Sequence, residues 1–330
     1  MNNQRCGSFE YPAPLIYLGL KLLDKLRYKN YQIAITLIIG GVVLALWKPF
    51  VLIEGLQVAG LYASIALPMA LILGIVGIIN LAHGDFMMFG AYFAYWFTVY
   101  TGADPLVAIF PVSLGLFLIG MATYRGTIKY MHGAPELIQL LLTFGISIVL
   151  QQLANLFWTS QPVSIHVGYA SASATIGTFT FGTYGFVYVA AAVILFIGLF
   201  HFLRHTRIGQ AALATGQNPT GAKLVGINID RIYLLIFSIS IALVGVMSVL
   251  FLTRHSIFPH VGGIFTLKSF CLAAMAGLGN LTGILWASLI LGLGESFVKS
   301  FMGYAGWADI IFFVLIIVVI MVGSYRRRVK

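Results

Sequence analysis

The chain has 330 residues, of which 60% are hydrophobic and 8% charged, and a formal charge of +10. A water-soluble domain carries about 25% charged residues, so this composition excludes an ordinary soluble globule. Apolar stretches of roughly 18 residues or more recur along the chain, which predicts an all-α polytopic integral membrane protein.

Residues 1–30 lack a short apolar core followed by a small-residue cleavage site, so no cleavable leader is expected. Instead Leu15, Leu18, Leu22, Leu23 and Leu26 recur at helical spacing opposite Lys21, Lys25 and Arg27. That stripe predicts an amphipathic helix lying in the membrane interface. A membrane domain over 31–323 and a basic tail over 324–330, "SYRRRVK", complete the division.

Within the domain, eight spans are expected near 34–53, 56–79, 86–100, 106–123, 137–157, 184–203, 232–253 and 307–323. Most of the 19 Lys and Arg fall in the N-terminus, in 124–135, in 204–231 and in the tail. By the excess of positive charge in cytoplasmic loops, these segments and both termini face inwards, and the uncharged loop 158–183 faces outwards. The basic balance is therefore a topology signal and gives no reason to expect nucleic acid. Parity then requires the glycine-interrupted region 264–294 to leave and return on the outer side. Two short helices turning near Gly279 and Asn280, either re-entrant or spanning, satisfy it.

Polar residues interrupt the apolar pattern at "GIVGIINLAHGDFMMFGAYFAYW", residues 74–96. Asn80, His83 and Asp85 fall there within six positions, with Gly84 among them. Two readings stand. They line a translocation path, or they lock a helix connection, with Asp85 capping a helix that begins at Phe86 and His83 satisfying nearby carbonyls. The capping reading is preferred, and the topology puts the turn towards the cytoplasmic side. A short echo links "GIINL" at 77–81 to "GLGNL" at 277–281, a match that 36 glycines make easy by chance.

The loop 204–231 is long but patterned. "PTGAKLVGI" predicts a short helix with Pro219 at its start and Gly226 at its end. Elsewhere, His132, His201 and His205 sit at span ends, and His255 and His260 in an outer loop. Glu54, Glu295 and Lys299 fall at outer ends, where pairing or solvation explains them. Cys6 and Cys271 suggest neither a disulfide framework nor a zinc site. No phosphate loop, nucleophile elbow or H-E-x-x-H helix is present, so no catalytic residue, metal or directly bound cofactor is expected.

Three segments in order, "GLYASIALPMALILGIVGIINLAHGDFMMFGAY", "GQNPTGAKLVGINIDRI" and "LKSFCLAAMAGLGNLTGILWASLILGLGES", resemble the permease subunits of branched-chain amino-acid ABC importers. The resemblance implies a path or helix-turn lock at Asn80, His83, Gly84, Asp85, Gly277, Gly279 and Asn280. It also implies an ATPase-coupling segment at Gln217, Asn218, Pro219, Thr220, Gly221, Ala222, Lys223, Gly226 and Ile227. The implied partners are two ATPase subunits that hydrolyse ATP, a second related permease or a second copy, a periplasmic binding protein and lipid. The implied location is the bacterial inner membrane. Two departures stand out: Thr220 replaces the glutamate that opens the usual coupling motif, and Ala276 replaces a glycine. An ion-coupled secondary transporter, with His83 and Asp85 relaying protons, is the competing expectation.

Overall fold

The computed structural model describes residues 49–158, 160–176, 179–277, 279–302, 310, 313 and 314. The expected interfacial helix, most of the first and last spans and the basic tail lie outside these residues.

The first described helix, α1 (Pro49–Leu71), runs unbroken through Glu54 and Gly55, where the sequence pattern suggests a gap between two spans. Gly55 is tolerated there because another helix, α10 (Leu281–Met302), needs the space: a Cβ on Gly55 would sit 2.8 Å from Leu293 Cδ2. Pro68 lies inside α1 and has no N–H to offer the Ser64 carbonyl, which loosens the ladder. Four residues later the helix widens into a π turn over Ile72–Val76, closed by a Gly77 N–H to Ile72 carbonyl bond of 3.1 Å.

The chain then continues without helix to Asn80 and re-enters one at α2 (His83–Thr101). A 3₁₀ turn at Pro105–Ala108 leads into α3 (Ile109–Gly126), and α4 (Glu136–Phe157) follows. The uncharged loop after α4 forms a small hairpin, β1 (Ser173–Ile176) antiparallel to β2 (Phe179–Gly182), with Ser173 opposite Gly182. The loop is also tied to the segment after α8 by reciprocal backbone bonds of 3.0 and 2.9 Å between Val163 and Ile257.

Beyond the hairpin come α5 (Gly185–His205), the short helices α6 (Arg207–Gln217) and α7 (Pro219–Leu224), then α8 (Ile229–Leu252), α9 (Val261–Ala276) and α10. Six helical stretches among the described residues are long and apolar enough to cross a membrane. One is the 20-residue stretch Leu281–Ser300, so the second arm of the glycine-rich hairpin is a full-length helix, longer than expected. The first arm, α9, has 16 residues, as anticipated.

Contacts between helices give their directions. Gln57 near the start of α1 donates to the Gly182 carbonyl of the hairpin at 2.8 Å, whereas Gly74 in the π turn that follows α1 abuts Gly216 of α6. The helices therefore run between a hairpin end and an α6–α7 end. Helices α1 and α8 form the centre and are largely buried, and α3 lies along α8 through Gly120 and Gly245. By contrast α3 and α4 are each 22% buried, and Phe110, Leu118, Leu141 and Phe144 point outwards. That outer face suits lipid tails or another membrane subunit.

Candidate functional site: two broken-helix turns and the segment beneath them

Asp85 is fully buried and belongs to the first turn of α2, but it does not cap it. Helix α2 starts at His83, three residues before the expected Phe86, so its N-cap position falls on Ala82. The His83 N–H reaches the Asn80 carbonyl at 3.3 Å, and the Gly84 N–H is capped by Thr266 Oγ1 of α9 at 2.7 Å. With its donors met from another helix, α2 leaves Asp85 free to turn outwards to α4. Its carboxylate accepts Ser147 Oγ at 2.5 Å and Gln151 Nε2 at 3.0 Å, and Gln151 Oε1 is 3.0 Å from His260 Nδ1.

The turn also reaches well along the neighbouring helices. Ser147 lies midway along α4, and His83 Nε2 meets the Ile65 carbonyl, near the middle of α1, at 2.9 Å. The Ile65 oxygen accepts, so Nε2 carries the proton and Nδ1 is a bare acceptor. The turn begins at the α6–α7 end with Gly77 and climbs to mid-depth at His83. Asn80 Oδ1 accepts the Ala82 N–H at 3.1 Å. Asn80 Nδ2 and His83 Nδ1 are buried and have no hydrogen-bond partner among the described residues.

Backbones touch where α2 crosses α9. A Cβ on Gly84 would lie 2.0 Å from the Gly262 carbonyl oxygen, and one on Gly262 would lie 2.6 Å from Asp85 Oδ1. The second turn resembles the first in form as well as in sequence. Gly277 ends α9 at φ 87°, as Gly77 ends the π turn at φ 73°. Asn280 Oδ1 accepts the Gly283 N–H at 3.0 Å at the start of α10, the counterpart of Asn80 before α2. The two turns meet: a Cβ on Gly74 would fall 2.4 Å from Gly279 Cα.

The 204–231 segment reaches the same point. Thr206 caps α6 through the Gly209 N–H at 3.0 Å, and Asn218 caps α7 through the Gly221 N–H at 2.9 Å, with Pro219 in the first turn. The cap is thus Asn218, and Thr220 is an exposed residue of the opening turn. Gly226 follows at φ 86°. The last turn of α6 presses on the first broken helix, where a Cβ on Gly216 would sit 2.8 Å from the Gly74 carbonyl oxygen. Ala222 is buried, whereas Gln217, Asn218, Pro219, Lys223 and Gly226 are exposed and Gly221 and Ile227 half-buried. At the tip Leu224 is 85% and Val225 77% exposed. Lys223 and Gly226 line a cavity of about 790 Å³ together with Gly77, His132 and Asp230.

Sequence reading therefore found both turns and the short helix, and missed what joins them. Gly74, Gly216, Gly262 and Thr266 carry no chemical signal, and Ser147 and Gln151 are unremarkable polar residues within a span. Lys268 was detectable, as a lysine inside an apolar run.

Residues 51–320 match the family model described as branched-chain amino acid transport system / permease component. The chain belongs to that family. Among its relatives, the high-affinity branched-chain amino acid transport system permease protein BraD of Pseudomonas aeruginosa is 29% identical, over 82% of this chain and 92% of the relative. The corresponding LivH protein of Escherichia coli K12 is 27% identical over 82% and 91%. The LivM permease of the same organism is 23% identical over 81% and 69%. Membership of this permease family is what the three ordered motifs imply, and it gives no support to the ion-coupled secondary transporter.

Proposed function

We propose that the chain is the membrane-spanning permease subunit of an ATP-binding-cassette importer for a branched-chain or other small amino acid. Separate ATPase subunits would hydrolyse the ATP, a second related permease would complete the path, and a binding protein would deliver the solute. LivH and LivM, both relatives of this chain, carry permease names from one organism, which favours a related second subunit over a second copy. The 204–231 segment faces the cytoplasm of a bacterial inner membrane, as its positive charge requires.

One observation carries the mechanism: α6 abuts Gly74, and Gly74 abuts Gly279. A partner gripping the bare Leu224 and Val225 would move α7 and α6 as a hinged pair. The displacement would reach both broken-helix turns at one point. Packed backbones without intervening side chains slide or separate in steps, so the push biases the helices between two arrangements. Asn80, His83, Gly84 and Asp85, with Gly277, Gly279 and Asn280, act as the lock that permits this. The unpartnered Asn80 Nδ2 and His83 Nδ1 give the turn polar groups for water or solute when it opens.

Gentle detergent extraction followed by mass spectrometry, and reconstitution of what co-purifies, tests the reading. ATPase subunits should co-purify, and L-leucine uptake into proteoliposomes should require ATP and the delivery protein. Uptake by the chain without any ATPase, sustained by an ion gradient, would overturn it.

A further inference from the structure

The outward face of α5 is apolar for most of its length and ends in a cluster of bases. Ile194, Ile197 and Phe200 are exposed along it. At helical spacing beyond them come His201, Arg204 and His205, with Arg207 opening α6, all four exposed. The Arg204 guanidinium lies over the Phe200 ring, 4.3 Å from its centroid, and the rings of His201 and His205 stack at 4.6 Å. One helix face thus passes from hydrocarbon to charge within a single turn. A long basic side chain at the headgroup level of a membrane has this form, its stem on apolar surface and its head in the polar layer.

The ordinary duties of such bases are already met by other groups. Cations in a last helical turn usually offset bare carbonyls. Here the Phe202 carbonyl accepts the Thr206 N–H at 3.2 Å and the Thr206 hydroxyl at 2.7 Å, and the Arg204 carbonyl accepts Gln210 Nε2 at 3.0 Å. Pairing with a carboxylate does not occupy them either. The sequence has no Asp or Glu between Glu136 and Asp230, and among the described residues neither arginine makes an ion pair. Lys129 differs, lying 3.5 Å from Asp230. The elbow between α5 and α6 is also tightly packed, since a Cβ on Gly209 would sit 2.1 Å from the Phe202 carbonyl oxygen. The bases are therefore held in place by the backbone around them.

We propose that this elbow binds an anionic phospholipid of the inner leaflet. Arg204 and Arg207 hold the phosphate, His201 and His205 stand beside it, and an acyl chain lies along Phe200, Ile197 and Ile194. Basic residues just outside the hydrocarbon attract anionic headgroups. An apolar stripe and an unneutralised basic cluster that meet at one level fit a single amphiphile, whereas a free phosphate would use the bases alone. The lipid sits at the fixed end of α6, whose far end abuts Gly74. Only the choice of leaflet rests on the importer reading, through the inward-facing 204–231 segment.

The test reconstitutes the intact assembly in phosphatidylcholine vesicles that carry a trace of one photoreactive lipid, with the same diazirine acyl chain on either phosphatidylglycerol or phosphatidylcholine. After irradiation, residues 194–200 should be labelled about twentyfold more by the phosphatidylglycerol probe, while other lipid-exposed segments label alike with both. Excess inorganic phosphate should leave that preference unchanged. Arg204→Gln and Arg207→Gln should each lower it about fivefold, and Arg204→Lys and Arg207→Lys should retain most of it. Lys129→Gln, which removes a cation that Asp230 already pairs, should not alter it. Equal labelling by the two probes in the wild-type protein overturns the proposal, as does loss of the preference in phosphate. A preference untouched by either glutamine variant, or lowered as much by Lys129→Gln, also overturns it, because the attraction then belongs to the basic membrane face at large. ATP-driven leucine uptake by the same vesicles reports on the importer reading separately. Uptake with equal labelling sinks the lipid site alone, and preferential labelling without ATP-driven uptake of any amino acid sinks the importer reading alone.

Discussion

Asp85 shows how far one side chain's role depends on its neighbours. A carboxylate at mid-depth needs donors, and Ser147 and Gln151 supply two from α4. Replacing it with leucine leaves the Ser147 hydroxyl without its acceptor in a buried position, at about 1–3 kcal/mol. Asparagine keeps one oxygen for Ser147 but turns a donor towards Gln151 Nε2, so its effect should be smaller. The expected order of thermal stability in detergent is wild type, then Asp85→Asn, then Asp85→Leu. Three equal melting temperatures would show that the bonds to α4 contribute nothing.

At the level of elements, the architecture depends on helices that approach without side chains between them. Gly84 against Gly262 and Gly74 against Gly279 are contacts of backbone with backbone, and no rotamer change relieves a methyl group placed there. Gly84→Ala should destabilise the protein by about 1–3 kcal/mol, as overpacking commonly does. Gly279→Ala combines a milder clash, 2.8 Å to Gly74 Cα, with a left-handed backbone, φ 75°, so it should also be destabilising in the same assay. Ala substituted at Gly115, where a Cβ meets nothing within 4 Å, is the control and should melt like the wild type. A melting temperature for Gly279→Ala equal to that of the control would refute the close approach of the two turns.

At the scale of the molecule, two kinds of apolar surface are exposed among the described residues. The flanks of α3 and α4 are apolar along their length and suit lipid or a companion subunit. The tip of α7 is apolar and small, which lipid does not explain, because it follows helices capped by polar residues and lies beside Lys223. Leu224→Asp together with Val225→Asp should leave insertion and stability unchanged, since neither side chain packs on the protein. The pair should abolish co-purification of ATPase subunits and ATP-driven uptake. Normal uptake by the double variant would show that the partner grips elsewhere.

Composition and the recurring apolar stretches were enough to read a polytopic helical protein. Pro219 and Gly226, each with a conformational preference that needs no partner, were enough to place the helix between them. The turn residues Gly77, Asn80, Gly277 and Asn280 were legible for the same local reason. What the tertiary structure decided is where separate segments meet. Asp85 reads as a cap until Thr266, 181 positions along the chain by its number, takes over the capping of α2. Glu295 reads as a charge at a span end until α9 and α10 bring it, with Lys268, onto Tyr62. Gly74 reads as one glycine among 36 until α6 and Gly279 close on it. Local preferences act within a few residues and are written in the order of the chain. Contacts between backbones have no side-chain signature, so only the packed molecule reveals them.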